Sequence, residues 1–194
     1  MHIVKNTIDR PLKNHDFLLI TGDGKPLPRD LETFMDLGID HDVMCIGRSI
    51  QIYPGLVDHY ADVDADAGKW VAENLIENNP DKGYPIRHTL GDVAWFDVCW
   101  EIEDCLIPSE DILWHGSTAL FCVLIGIAME YKQIVLAGCP MDSKGHWYFP
   151  DETYGPKWTF ESYQSWFEFA ATEDAKKVCS LSGYTKQLLG GFNG

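Results

Sequence analysis

Positive charge is scarce in this chain. Its 194 residues carry 15 Lys and Arg against 30 Asp and Glu, a formal net charge of -15. A surface of that sign repels a phosphodiester backbone, which excludes nucleic acid as the partner. A single phosphorylated small molecule needs only a local site and stays open. Long apolar runs are missing too. The run from Ala119 to Met129 falls short of the roughly 20 residues that span a bilayer. The opening MHIVKNTIDRPLKNHD lacks the continuous apolar stretch of a signal peptide. The six cysteines, Cys45, Cys99, Cys105, Cys122, Cys139 and Cys179, show no C-x-x-C pairing and no zinc-finger spacing. In apolar surroundings a free thiol packs as a small hydrophobe. Reduced thiols in a soluble cytoplasmic protein with no membrane span are therefore expected. There is no internal repeat, low-complexity segment or interdomain linker, and the length suits one domain with a real core.

What is present is organised around Leu113 to Tyr148. A small polar turn, His115-Gly116-Ser117-Thr118, opens it. A buried helix follows, beginning at Ser117 or Thr118. Ile134 to Ala137 then reads as a buried strand ending at Gly138, and a polar, aromatic loop comes after. Open α/β sheets bind ligands outside the carboxyl ends of their strands. A helix start on the same rim offers free N–H groups and a positive dipole end, which favour an anion such as phosphate.

In chain order, residues 1–15 read as a lead-in or an edge element. Strands are expected at Phe17–Ile20, Val43–Ile46, Leu56–Ala61, Ile86–Leu90 and Val178–Leu181. Helices are expected at Pro28–Leu37, with Leu31, Phe34, Met35 and Leu37 on one face, at Ala67 to about Asn78 capped by Asp64 or Asp66, at Trp158–Ala171, and at Tyr184–Leu189. Residues 91–112 suggest a short helix or an irregular cover. Strand–helix alternation predicts a three-layer, Rossmann-like α/β sandwich with a mostly parallel central sheet, as a single domain over 1–194.

Several groups carry chemistry. Gly22-Asp23-Gly24 follows the first strand and lacks the third glycine of a dinucleotide fingerprint. Its tight turn can bring backbone N–H groups to a phosphate. Asp62-Val63-Asp64-Ala65-Asp66 resembles the D-x-D element of nucleotide-sugar transferases, which makes Asp62 and Asp64 candidate Mg or Mn ligands. The same acids would serve equally as a helix-capping loop. His115, Gly116, Ser117 and Thr118 are candidates for binding phosphate or sugar. Without a G-x-S-x-G elbow, Ser117 is no hydrolase nucleophile. In the later loop, Asp142 and His146 are candidate proton-transfer groups beside Lys144, Trp147 and Tyr148. The ladder Trp158, Phe160, Tyr163, Trp166, Phe167, Phe169 reads mostly as core.

Phe121 to Ala137, followed by GCPMDSKGHWYFPD, resembles the corresponding segment of the small bacterial sialyltransferases that modify lipooligosaccharide. Their strand pattern G-Y-K-x-I-x-L-x-G is EYKQIVLAG here. Gly22 to Leu27 is similar to their first-strand G-N-G-P-S-L turn, which meets the nucleotide. The resemblance places Tyr148 at a tyrosine near the substrate phosphate and Thr118 near a serine at the helix start. It sets Gly47 and Arg48 near an asparagine after the second strand. This chain departs from that pattern at His115, where they have arginine, and at Asp142, where they have a second loop tyrosine. It also has no histidine after His146. Asp58-His59-Tyr60, H-G-S-T, A-G-C-P-M-D with G-H, and Ser180 to Gly190 are similar to a family of uncharacterised phage and prophage proteins. The wider superfamily includes an archaeal hydroxymethylpterin pyrophosphokinase. The likeness covers most of residues 16–190.

A transferase binding a nucleotide-linked donor is the first expectation, most simply a nucleotide sugar, with a small-molecule nucleotide as partner. Magnesium-dependent diphosphate transfer from ATP to a small alcohol is the alternative. A non-catalytic phage accessory protein is the third reading. Trp95, Trp100 and Trp147, read as exposed, allow a homo-oligomer without requiring it.

Overall fold

The computed structural model describes residues 1–77, 79–102, 117–148 and 158–192. The strands, in chain order, are β1 (His2–Asn6), β2 (Phe17–Thr21), β3 (Asp42–Ile46), β4 (His59–Ala61), β5 (Ile86–Leu90), β6 (Val98–Glu101), β7 (Gln133–Ala137) and β8 (Val178–Ser180). The helices are α1 (Leu27–Met35), α2 (Ala65–Val71, continued by a π-type turn at Ala72–Ile76), α3 (Thr118–Ala128), α4 (Phe160–Ala170) and α5 (Gly183–Leu189). The strands form one sheet in the order β1-β6-β5-β4-β3-β2-β7-β8. Among the strands of the described residues, only the β1–β6 pairing is antiparallel.

Leu18, Leu19 and Ile20 are all wholly buried. Strand side chains alternate between faces, so both faces of β2 are covered. On one face Leu18, Ile20, Met44 and Leu136 pack with Phe121 and Ile125 of α3 and Trp166 of α4. On the other, Leu19, Val43 and Val135 pack with Leu27, Leu31 and Phe34 of α1 and with Val71. The chain is thus the expected three-layer, Rossmann-like α/β sandwich with a mostly parallel sheet.

Some elements differ from expectation. Residues 91–97 are irregular, as one of the two expectations had it, but Val98–Glu101 forms strand β6; residues 103–112 lie outside the described residues. The lead-in supplies edge strand β1. Helix α1 ends before Leu37, and Met35 and Leu37 are exposed. In α4, Trp166 and Phe169 are core, whereas Phe160 and Phe167 face outward. Trp100 is 2% exposed, so it belongs to the core and not to a self-association surface. The five described cysteines are buried free thiols. No helix among the described residues is long and apolar enough to cross a membrane.

Trp100 begins a polar chain through this core. Its indole N–H donates to His88 Nδ1 at 3.0 Å. An indole can only donate, so the proton of neutral His88 sits on Nε2 and is given to His59 Nδ1 at 3.0 Å. His59 Nε2 then faces the Tyr131 hydroxyl at 3.4 Å, and that hydroxyl donates to Asp42 Oδ2 at 2.7 Å. The same oxygen accepts the N–H groups of Asn14 and His15, which ties the lead-in to β3. Burial pushes His59 down to about 4 and His88 well below the usual histidine range.

Candidate functional site

From β2 the chain travels through α1 to β3 on one side. From β7 it travels through α4 to β8 on the other. Strands β2 and β7 are neighbours, so the winding reverses between them and a crevice opens at their carboxyl ends. The cleft there has a volume of about 200 Å³. Its walls are the Gly22-Asp23-Gly24 turn, Ile46, the start of α3, and the loop after β7 with Asp142 and His146. A larger cavity of about 510 Å³ lies by the amino ends of β5 and β6, near Arg10 and Arg87. Both cations are already engaged, Arg10 by Tyr84 O and Arg87 by Asp97. The switch-point cleft is therefore the better site.

The glycine turn spends three of its N–H groups on the protein itself. Gly22 N–H donates to Ala137 O at 2.9 Å, Gly24 N–H to Gly138 O at 2.8 Å, and Lys25 N–H to Gly145 O at 3.1 Å. A Cβ on Gly24 would lie 2.4 Å from Pro140 Cδ and 2.7 Å from Gly138 O. The glycines let two loops clasp each other, and the turn contributes to the cleft through Asp23.

Asp23 is mostly buried, and burial pushes its carboxyl up to about 6 against the pull of the Arg48 N–H, His146 and the Trp147 indole. Oδ2 accepts the Arg48 N–H at 3.0 Å, while Oδ1 has no hydrogen bond. Gly47 makes room, since a Cβ there would meet Oδ2 at 2.5 Å. His146 forms an antiparallel bridge with Gly24, and its buried Nδ1 has no partner. A carboxyl poised near neutrality beside an imidazole suits proton transfer. Asp142 lines the same cleft, with Oδ1 accepting the Lys144 N–H at 3.1 Å.

Ser117 caps α3. Its hydroxyl accepts from Leu120 N–H at 3.3 Å and from the Trp166 indole at 3.1 Å, so it is committed to structure. Thr118 and Ala119 line the cleft, and helix geometry leaves their N–H groups without intrahelical acceptors. His115 and Gly116 lie outside the described residues. Tyr148 stacks on His146 with centroids 5.2 Å apart and planes 8° apart. Burial and the nearby Asp23 push its hydroxyl up to about 12. The Arg48 guanidinium lies 4.9 Å from the Tyr148 ring and 5.0 Å from the Trp70 ring.

Asp62 and Asp64 stand apart, at the end of β4, two strands from β2. Asp62 accepts from Tyr60 OH and from Asp64 N–H, and Asp64 caps α2 by accepting from Asp66 and Ala67 N–H. Among the described residues no group of three acid, histidine or cysteine side chains is arranged for a metal. As placed, the pair serves its turn and its helix.

One residue that shapes the site escaped the sequence reading. Asp30, 2% exposed, sends Oδ2 to the Gly138 N–H at 3.0 Å and accepts the Ser182 hydroxyl. Thr185 donates to Cys139 O at 2.7 Å and pairs with Ser180. The Ser180–Gly190 motif thus holds the β7 loop. An acid on the apolar face of α1, between Leu27, Leu31 and Phe34, was the available signal. No protein-family model, curated protein or solved structure matches the chain.

Proposed function

We propose that the switch-point cleft binds a nucleotide-linked donor, most simply a nucleotide sugar, and that the protein is a glycosyltransferase-like enzyme. One observation carries this reading: a carboxyl raised towards neutrality, with a buried oxygen that accepts no hydrogen bond and a buried, unpartnered imidazole nitrogen beside it, shares a cleft with the start of an 11-residue helix. The N–H groups of Thr118 and Ala119, with the Thr118 hydroxyl, receive the donor phosphate. Asp23 Oδ1 takes the proton from the acceptor hydroxyl as its oxygen bonds to the sugar carbon. The bond from that carbon to the donor phosphate breaks, and the nucleotide leaves. His146 Nδ1 is available to the same hydroxyl or to the leaving phosphate. The reading calls on no metal: Asp62 gives both oxygens, and Asp64 its Oδ1, to protein donors.

The test is a thermal-shift screen against CMP, UDP, GDP, their sugar conjugates and ATP, with and without Mg and Mn. A ligand at a hundredfold excess over its Kd stabilises the native state by about 2.7 kcal/mol. A shift with one nucleotide class, weakened by Thr118→Val and kept by Asp23→Asn, supports the reading. A shift confined to ATP with magnesium replaces it with diphosphate transfer. No shift with any nucleotide leaves a non-catalytic binding protein.

A further inference from the structure

Beyond the cleft, Arg48 stands out among the four arginines. Arg10 bonds to Tyr84 O, Arg29 pairs with Asp30 and Arg87 pairs with Asp97. The Arg48 guanidinium has no hydrogen bond or ion pair to any described residue, in a chain with twice as many acids as bases. It is nonetheless partly buried and held against two rings, Trp70 of α2 and Tyr148. Contact over two rings leaves the five N–H donors of the guanidinium, which lie in one plane, without an oxygen acceptor among the described residues. Such a fork matches an oxyanion with two acceptor oxygens. Partial burial without a partner costs free energy, which a ligand would relieve.

The position of this fork says which part of the reaction it serves. The donor phosphate belongs at the start of α3. Arg48 instead follows the base: its own backbone N–H donates to Asp23 Oδ2, and its ring partner Tyr148 stacks on His146 at the cleft wall. The proton-accepting group must face the acceptor hydroxyl, so Arg48 sits on the acceptor side. Resting on the transferase reading above, we infer that the acceptor is an anionic molecule, carrying a phosphate or a carboxylate that the Trp70–Arg48–Tyr148 stack binds.

Calorimetric titration with glucose 6-phosphate, glucuronate and glucose tests this on the intact protein. Arg48→Gln is the variant of choice, because it keeps the backbone N–H that holds Asp23; an unchanged melting temperature certifies its fold. Wild type should bind at least one of the two anions and bind glucose more weakly. Arg48→Gln should lose at least tenfold in affinity for that anion, and Arg48→Lys, which keeps the charge without the fork, should fall between. Binding of the phosphate alone identifies a phosphorylated acceptor, and binding of the uronate alone an acidic one. The inference is overturned if wild type binds neither anion, or if Arg48→Gln binds as tightly as wild type. The nucleotide shift of Arg48→Gln should match that of wild type. If wild type shows no nucleotide shift yet binds anions through Arg48, the donor assignment falls and the anion subsite stands.

Discussion

Asp23→Asn should make the protein more stable and less active, with the stability gain depending on pH in a defined direction. The side chain keeps its shape, and the amide oxygen can still accept the Arg48 N–H that now reaches Oδ2 at 3.0 Å. What disappears is the ionisation. Burial raises the native carboxyl from 3.8 to about 6, so the native state holds this proton more tightly than the unfolded chain does. The protonated carboxyl costs folding nothing below pH 3.8. As pH rises from about 4 to 6 the unfolded chain releases its proton first, and stability is lost over that window. A two-unit shift corresponds to about 3 kcal/mol at most, and partial exposure of the side chain reduces this to about 1–3 kcal/mol. The variant should therefore equal wild type near pH 4 and exceed it by that amount at pH 8. Urea denaturation at a series of pH values measures it. With a slope of about 2 kcal/mol/M, the midpoint of the variant should move up by about 0.5–1.5 M at pH 8. A constant offset across the series, or a variant less stable at pH 8, would refute the strained-carboxyl argument. The accompanying loss of transfer is the usual trade at a site whose residues are placed for chemistry and not for stability.

Asp30→Ala should cost about 2–4 kcal/mol, because the Gly138 N–H and the Ser182 hydroxyl lose their shared acceptor inside the protein. Asp30→Asn keeps an acceptor in the same place and should cost about 1 kcal/mol; an alanine variant within about 0.5 kcal/mol of wild type in urea would sink this account. In the Asp23→Asn background, lowering pH from 6.5 to about 4 should remove about 3 kcal/mol or more, since unfolded His59 and His88 both take up protons near 6.5, whereas native His59 does so only near 4 and native His88 is held well below the usual histidine range. A flat urea midpoint across that range would contradict the neutral, directed chain from Trp100 to Asp42. Gly24→Ala should lower the melting temperature by several degrees through its contact with Pro140, and should abolish any nucleotide shift along with it.

The central strands were readable from sequence because both of their faces are covered. Leu18-Leu19-Ile20 and Ile134-Val135-Leu136 are unbroken apolar runs for that reason, and the runs alone imply layers on either side. The start of α3 was placed at Ser117 or Thr118 from the polar turn before an apolar stretch, and Ser117 is its cap. Strand β6 gave no such signal. It has four residues, with Asp97 before it and Glu101 as its last, and its identity comes from pairing with β5 and β1. Period-2 patterning needs more length than that to stand out.

The site was readable in its membership more than in its roles. Asp23, Thr118, Asp142 and His146 all line one cleft, as their positions next to strand and helix ends suggested. Their properties depend on partners far away in sequence. The acceptor for Gly22 N–H is Ala137, and the group that holds Asp23 is the N–H of Arg48. A glycine-rich turn looks the same in sequence whether its close approach is to a phosphate or to another backbone. Here a Cβ on Gly22 would come within 2.6 Å of Cys139 Sγ, and one on Gly24 within 2.7 Å of Gly138 O, so the protein itself is what both glycines accommodate. With its flanking N–H groups spent on β7, the turn leaves recognition of an anion to the start of α3 and to Arg48, and leaves Asp23 as the group whose charge the cleft controls.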